Sequence, residues 1–178
     1  MASGINAFRT GFSGTRPNRF RVDIFGPGGN LSNLEIYVKA TSAPGSSIGV
    51  IPTPWMGRVI KFSGERTYAD WTIQVYDSSV SSENLRNYFE EWIEIMDGRD
   101  THNINYKKTG TAEVKWNDIN SSTGVGVHDG QTNFNSVMTL VNCFPIDISA
   151  MELSYDAVDT FAEFTITLAY DYHENSST

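Results

Sequence analysis

The amino-acid sequence predicts a mainly β fold: an antiparallel β-sandwich or open barrel of about seven strands with one α-helix packed on it. Two observations carry this prediction. Several short segments alternate apolar and polar residues between turn signals, and a single segment has an apolar stripe at helical spacing. The 178 residues, 39% hydrophobic and 12% aromatic, suffice for one domain with one core and exclude a disordered chain.

The first strand is predicted over residues 19–25, where apolar and charged side chains alternate. The tetrapeptide Pro-Gly-Gly-Asn at 27–30 is a strong turn signal. A second alternating segment follows over residues 34–41. We therefore expect these two strands to pair with each other as a hairpin.

The remaining strands are predicted at residues 70–76, 112–117, 136–144 and 161–172. The strands at 70–76 and 112–117 alternate apolar and polar residues regularly, so each should have one buried face and one face exposed to solvent. Aromatic residues on the apolar stripes of the strands and the helix are expected in the core, namely Trp71, Phe89, Trp92 and Trp116.

One helix is predicted over residues 81–97. Its apolar side chains recur every three or four residues and form one stripe: Leu85, Tyr88, Phe89, Trp92, Ile93 and Met96. Ser81 or Ser82 is expected to cap its start and Gly98 to end it. Residues 117–135, rich in Gly, Ser, Asn and Asp, are expected to form a long exposed loop.

Residues 44–64 contain Pro52 and Pro54, which remove two backbone donors and predict an extended, proline-broken loop. The same stretch is apolar, so it should cover its own domain or a neighbouring molecule. Trp55 lies in this loop, so we expect it to anchor an interface rather than to pack in the core. We therefore expect an assembly surface formed by Ile48, Ile51, Trp55, Met56 and Arg58.

Charge is distributed unevenly along the chain. The first 115 residues contain all 13 cations and 12 acids, a balance of +1, whereas the rest contains nine acids and no Lys or Arg, which gives the net charge of −8. This polarity suits head-to-tail self-association, although acidic residues also serve simply to keep a domain soluble. Tight nucleic-acid binding is disfavoured because it needs a clustered cationic surface.

The sequence shows no arrangement of catalytic, metal-binding or cofactor-binding residues, so we expect no enzyme and no cofactor. His102, His128 and His173 lie far apart and lack zinc-ligand spacing. Cys143 lies in an apolar run and is expected to be a small buried hydrophobe. No apolar segment approaches the length of a membrane span, and no signal peptide is visible. We therefore expect synthesis in the cytoplasm.

One alternative of a different class remains open. A β-sandwich with exposed loop aromatics is also the architecture of carbohydrate-binding modules. Trp55 and Tyr68 would then form a platform on which a sugar ring stacks. That hypothesis predicts a monomer with weak affinity for saccharides.

A family resemblance rests on a collinear set of short motifs. The central ones are Ile51-Pro52, Met56-Gly57-Arg58, Gly64-Glu65-Arg66-Thr67 and Asp70-Trp71-Thr72, flanked by Arg16-Pro17-Asn18-Arg19-Phe20, Lys39-Ala40-Thr41 with Pro44, and residues 164–172. The set resembles the tail tube proteins of contractile-tailed phages of the T4 type. It extends over residues 16–172 and is weakest over residues 97–132.

The resemblance implies that the whole chain, residues 1–178, is one tail-tube domain with an N-terminal arm at 1–15. Subunits of this family close into hexameric rings with one continuous inner β-barrel, and the rings stack into a tube inside a contractile sheath. The implied partners are further copies of the chain, the sheath protein, and baseplate and tail terminator proteins. The implied location is the virion tail, with assembly in the host cytoplasm.

In such a tube DNA passes through the lumen without specific binding. Acids on the polar faces of the strands are candidates for the lumen lining, namely Asp23, Glu35 and Glu113, although Lys39 and Lys115 lie on the same faces. A negative lining would repel phosphate and ease passage. The same fold in a phage-derived contractile injection device, a tailocin or a secretion-like system, would pass other cargo, and the sequence does not distinguish the two.

Overall fold

The computed structural model of the protein describes residues 17–27, 29–30, 37–78, 84–98, 108–118, 134–156 and 158–177. These residues form ten β-strands, paired antiparallel, and one α-helix, α1 (Leu85–Met96). The strands are β1 (Phe20–Gly26), β2 (Gly29–Asn30), β3 (Val38–Thr41), β4 (Ser46–Trp55), β5 (Arg58–Tyr68), β6 (Trp71–Tyr76), β7 (Gly110–Asp118), β8 (Phe134–Ile148), β9 (Glu163–Ala169) and β10 (Tyr172–Ser177). The mainly β fold with one helix is confirmed.

Eight strands form one sheet in the order β2-β1-β7-β8-β9-β6-β3, with β10 also paired to β8. The long strand β8 belongs to two halves of this sheet. Its residues 134–143 pair with β7, whereas residues 144–148 pair with β9. The first half is therefore β2-β1-β7-β8-β10 and the second is β8-β9-β6-β3. The change of partner along β8 lets both halves enclose one core.

The core lies between the apolar faces of the two halves and α1. Strand alternation is regular in β6 and β9, where every second residue is buried. Trp71, Phe89 and Trp92 are buried as predicted, and Trp116 is partly buried against the core. The main buried side chains are Val22, Ile24, Trp71, Ile73, Val75, Leu85, Phe89, Trp92, Ala112, Val114, Leu140, Cys143, Phe164, Ile166 and Leu168.

The helix lies within the predicted range but begins later than its expected cap. Asn84 is the N-cap, and its Oδ1 accepts a hydrogen bond from the Asn87 backbone N–H at 3.0 Å. The expectation of Ser81 or Ser82 as the cap is therefore wrong, and both serines lie outside the described residues. Asn and Ser are equally favourable N-cap residues. The position of the cap is therefore set by the point at which the apolar stripe of the helix becomes buried.

The predicted hairpin between residues 19–25 and 34–41 is wrong for the part that the structure describes. The turn does lie where the sequence predicts it, since Gly29 and Asn30 pair with Gly26 and Phe25. However, β3 pairs with β6, and the long partner of β1 is β7. Alternation defines the faces of a strand but not its neighbour, so a non-local pairing replaced the local one.

Candidate assembly surfaces

Strands β4 and β5 form a β-hairpin that is separate from the eight-stranded sheet. Nearly every side chain along both strands is exposed. At the tip, Trp55 is 61% and Met56 88% exposed. The expectation of a loop over residues 44–64 is thus wrong, because the stretch is a strand, a turn and a strand. Its apolar side chains nevertheless stay open to water within the monomer.

The two prolines are compatible with strand β4 because of their spacing. Pro52 lies opposite Lys61 and Pro54 opposite Val59. Residues two apart direct their backbone nitrogens to the same edge of a strand. The ladder with β5 remains complete when that edge is the outer one, where no N–H is needed. The outer edge of β4 then lacks two donors, which hinders the addition of another strand.

The hairpin turn holds an apolar residue in an unfavourable backbone conformation. Trp55 pairs with Arg58, so the turn consists of Met56 and Gly57 alone. Their φ angles are +44° and +78°, as in a two-residue type I′ turn. Glycine adopts this conformation freely, whereas the left-handed region costs a residue such as methionine about 1–2 kcal/mol. The backbone strain is thus combined with an exposed apolar side chain, an arrangement often found at functional surfaces.

The register of the hairpin brings three of the five expected interface residues onto one face and separates Ile48 from them. Alternation along the paired strands places Ile51, Trp55 and Arg58 on one face. Ile48 lies on the other face and Met56 at the tip. The return strand adds exposed apolar side chains that are not among the predicted interface residues, namely Val59, Ile60 and Phe62. The loop predicted over residues 44–64 has no regular faces, and Met-Gly is not one of the dipeptides typical of a tight hairpin turn, so the sequence contains no signal for a second strand.

A compact ionic cluster occupies the polar face of β1 and β7, where Asp23 lies directly opposite Glu113. Lys115 Nζ is 2.8 Å from Asp23 Oδ2 and 2.7 Å from Glu113 Oε2. Arg21 Nε donates to Asp23 Oδ1 at 3.0 Å. Burial alone would lower the pKa of Lys115, but its hydrogen bonds to the two acids outweigh that effect and raise the pKa. These four side chains together carry no net charge.

The acidic positions continue across the sheet as a row. Glu113 lies opposite Thr139, and Thr139 lies opposite Glu174 on its other side. One row therefore runs from Asp23 to Glu174 across the four strands β1, β7, β8 and β10. Two of the predicted lumen residues, Asp23 and Glu113, share this row, while Glu35 lies outside the described residues.

A second exposed apolar surface lies on the connection between β8 and β9, residues 149–162, which we call the β8–β9 connection. Leu153 is 79% exposed, and Tyr155, Val158 and Phe161 are likewise open to solvent. The connection borders a cavity of about 790 Å³ that is also lined by Gln74, Phe164 and Thr165. This surface could not be predicted from the sequence, because isolated apolar residues in a loop give no periodic signal.

The described residues contain no group of three or more His, Cys, Asp or Glu that could hold a metal ion. Within that same part of the chain, no helix has the length and apolarity to cross a membrane. Cys143 is buried, and burial raises the pKa of its thiol to about 12. It is therefore protonated and unreactive at neutral pH.

The two aromatic residues proposed for sugar stacking do not form one platform. Tyr68 is at the base of the hairpin, where its ring centroid is 5.0 Å from that of His173 and 5.9 Å from that of Tyr170. Trp55 is at the tip, nearly the whole length of the hairpin away, which is about 30 Å. A single saccharide ring cannot contact both residues in one copy of the chain.

A family model described as phage tail tube protein matches residues 12–176. The chain belongs to the phage tail tube protein family. Tail tube protein gp19 of Enterobacteria phage T4 is 27% identical to it over 164 residues, covering 89% of this chain and 90% of that protein. The tail tube protein of Serratia phage KSP90 is 23% identical over 175 residues, covering 93% of each. The resemblance found from the motifs is thus confirmed.

Solved structures share the fold of this tail tube family member. A chain of the anti-feeding prophage baseplate superposes with a TM-score of 0.65 at 9% identity, covering 93% of this chain and 97% of that one. A chain of the sheath–tube complex of the extracellular contractile injection system PVC superposes with a TM-score of 0.62 at 13% identity, covering 99% and 100%. At such low identities the likeness shows the fold alone.

Proposed function

We propose that the protein is the building block of a phage tail tube, whose copies close into hexameric rings that stack head to tail. Membership of the tail tube family supports this role. The observation that carries the assembly is the exposed apolar surface of the β4–β5 hairpin. Such a surface is unfavourable for an isolated molecule, and a neighbouring copy that covers it gains the free energy of burial.

Stacking uses the hairpin as the projecting element. Trp55 and Met56 are its anchors, because large side chains at the centre of an interface contribute most of the binding free energy. Ile51 extends the apolar contact along the face of Trp55, and Ile48 extends it on the opposite face. Arg58, opposite Trp55, adds a charge that selects the partner surface.

The lumen is lined by the polar face of the first sheet half, which carries Asp23, Glu113 and Glu174 in one row. Closing the ring pairs the edge strands of neighbouring copies into a continuous barrel and removes edges that would otherwise aggregate. Glu35 is proposed to line the lumen as well. Because Arg21 and Lys115 neutralise Asp23 and Glu113, the lining repels DNA less than a purely acidic one.

DNA passing through the tube makes no specific contact with this lining, since balanced or negative charge gives no counterion-release gain. The other partners are the sheath protein around the tube and the baseplate and terminator proteins at its ends. The assembled protein resides in the virion tail after synthesis in the host cytoplasm. The protein acts structurally, not as an enzyme.

A tube of a phage-derived contractile injection device is the second candidate. The observation in its favour is the fold shared with chains of the anti-feeding prophage and PVC particles. Subunit assembly would be the same in both cases, and only the cargo would differ.

The assembly proposal is tested with purified protein by sedimentation velocity and negative-stain electron microscopy, with and without baseplates as seeds. Wild-type protein should form rings and hollow tubes. Trp55→Ala should raise the concentration needed for tubes by roughly 30-fold or more, because a buried aromatic contact is lost. Ile95→Ala, which removes an exposed apolar side chain from α1, is the matched control and should assemble normally. Wild-type protein that stays monomeric even with seeds would refute the proposal.

A further inference from the structure

Stacking through the hairpin requires a surface on the next copy that receives it. We infer that this acceptor is the β8–β9 connection, with its cavity, of a second copy of the chain. The inference rests on the proposed head-to-tail stacking and names the partner surface of the same hairpin. Three independent features of the molecule support it: the position of the connection, its apolar side chains and its charge.

The hairpin and the connection lie at opposite ends of the second sheet half. In the ladder between β6 and β9, Trp71 pairs with Leu168 at one end and Tyr76 pairs with Glu163 at the other. The hairpin ends at Tyr68, just before Trp71, so it emerges at the first end. The connection runs directly into Glu163 and belongs to the second end, about 17 Å away along the strands.

The base of the connection is held firmly at that second end. Ala162 accepts a hydrogen bond from the Asp77 backbone N–H at 2.8 Å. Ser149 donates its N–H to the Thr165 carbonyl at 2.9 Å, and its Oγ accepts from the Thr165 N–H at 2.8 Å. A projecting element at one end and an anchored surface at the other is the arrangement that head-to-tail stacking needs.

The exposed apolar side chains of the described residues concentrate in these two places. Eight lie on the hairpin between Ile48 and Phe62, and four lie on the connection, namely Leu153, Tyr155, Val158 and Phe161. The others in this part of the chain, Phe25, Ile95, Ile146 and Tyr172, are dispersed over different elements. The cavity beside the connection is large enough to receive side chains of the size of Trp55 and Met56.

The two surfaces have opposite charge. The hairpin carries Arg58, Lys61 and Arg66 against Glu65. The connection carries Glu152, Asp156 and Asp159 and no Lys or Arg. Two cations lie at its base, and both are paired: Arg86 donates to the Ser149 carbonyl and pairs with Glu90, and Lys39 pairs with Glu163. Opposite charge around matched apolar centres favours contact between unlike ends and disfavours contact between like ends.

Two variants with exposed substitutions separate the roles of the surfaces. The hairpin variant Trp55→Ser/Met56→Asn keeps an intact connection, and the acceptor variant Leu153→Ser/Tyr155→Ser keeps an intact hairpin. Each alone should form rings, and the concentration at which those rings stack should rise roughly 100-fold above that of wild-type protein. Preformed rings of the two variants, when mixed, should form pairs of rings and nothing longer, because one outer end of each pair carries the mutated hairpin and the other carries the mutated connection. Electron microscopy counts the rings in each particle.

The outcomes distinguish this inference from the proposed function. If the acceptor variant stacks like wild-type protein while the hairpin variant does not, the stacking role of the hairpin is supported and the assignment of the acceptor is wrong. The β8–β9 connection would then bind the sheath protein or another partner. Mixtures that contain only single rings would also show that the β8–β9 connection is not the acceptor. A hairpin variant that stacks normally refutes the stacking role itself. As a second measurement, Arg58→Glu should weaken stacking, and adding Asp156→Lys to the same chain should restore part of it. Absence of any rescue counts against the charge match.

Discussion

Asn142 donates a hydrogen bond through Nδ2 to Oδ2 of Asp171 at 2.8 Å, at the point where β8 changes its pairing partner. Asn142 has φ of +55°, in the left-handed region that Asn tolerates better than most residues. The Asp171 backbone N–H donates to the Val141 carbonyl at 3.1 Å beside it. The Asn142 Oδ1 also accepts a hydrogen bond from Thr109 Oγ1 at 3.4 Å. The corner that divides the sheet into two halves therefore combines one unusual backbone conformation with the side-chain hydrogen bonds of Asn142.

A substitution series at Asn142 separates these two contributions. Asn142→Gly keeps the left-handed conformation but loses the side-chain hydrogen bonds, and should lower the free energy of unfolding by about 1 kcal/mol. Asn142→Ala loses both and should cost about 1–2 kcal/mol more than the glycine variant. Urea denaturation of the monomer measures the difference. Equal stability of the two variants would show that the backbone conformation carries no cost.

Met56→Asn should separate the hairpin fold from hairpin docking. Asn followed by Gly57 is the favoured type I′ turn, so the monomer should keep or slightly gain thermal stability. Assembly should need a roughly tenfold higher concentration, because the apolar tip is lost. Met56→Leu is the control that keeps an apolar tip with the same backbone strain. Normal tube formation by the Asn variant would contradict the anchoring role of Met56.

Gly110→Ala should destabilise the fold strongly. A Cβ atom at Gly110 would lie 2.2 Å from the Phe25 carbonyl oxygen and 2.8 Å from the Trp92 ring. Because a backbone oxygen in the sheet cannot move aside freely, we expect a loss of about 3 kcal/mol or more in the free energy of unfolding. Gly45→Ala, with nothing within 4 Å of its Cβ, should leave stability unchanged. Equal stability of the two variants would mean that β1 and β7 lie farther apart than described.

The buried thiol of Cys143 should couple stability to alkaline pH. Its pKa is raised by burial from 9.0 to about 12, so the folded state holds the proton more tightly than the unfolded state. The resulting stabilisation is complete below pH 9 and is lost as the pH rises toward 12. Between pH 8 and pH 10.5, wild-type protein should lose about 2 kcal/mol more than Cys143→Ala. Identical pH profiles in urea denaturation would show that the thiol is not buried.

The faces of the strands could be predicted from the sequence, whereas their neighbours could not. Alternation in β6 and the helical stripe of α1 placed Trp71 and Trp92 correctly in the core. The partner of β3 depends on contacts far apart in the chain, which a local pattern does not contain. Residues 134–148 form one strand across two halves because of the corner at Asn142, which has no periodic signal.

The candidate assembly surface could likewise be predicted only in part. Prolines predicted that residues 44–64 could not be helical, and the apolar side chains of this stretch predicted that it covers its own domain or a neighbouring molecule. The prolines did not exclude a strand, because both missing donors are compatible with the outer edge of β4. Asp23 and Glu113 shared a face as expected, but the ion pairs with Arg21 and Lys115 depend on cross-strand register that alternation alone does not define.

The most direct test of the tube account is cryo-electron microscopy of the assembled wild-type protein. The account predicts hollow tubes with six subunits per ring, the Asp23–Glu174 row facing the lumen, and the β4–β5 hairpin buried against the adjacent ring. Assemblies without a central channel, or rings in which Trp55 and Met56 remain open to solvent, would contradict it.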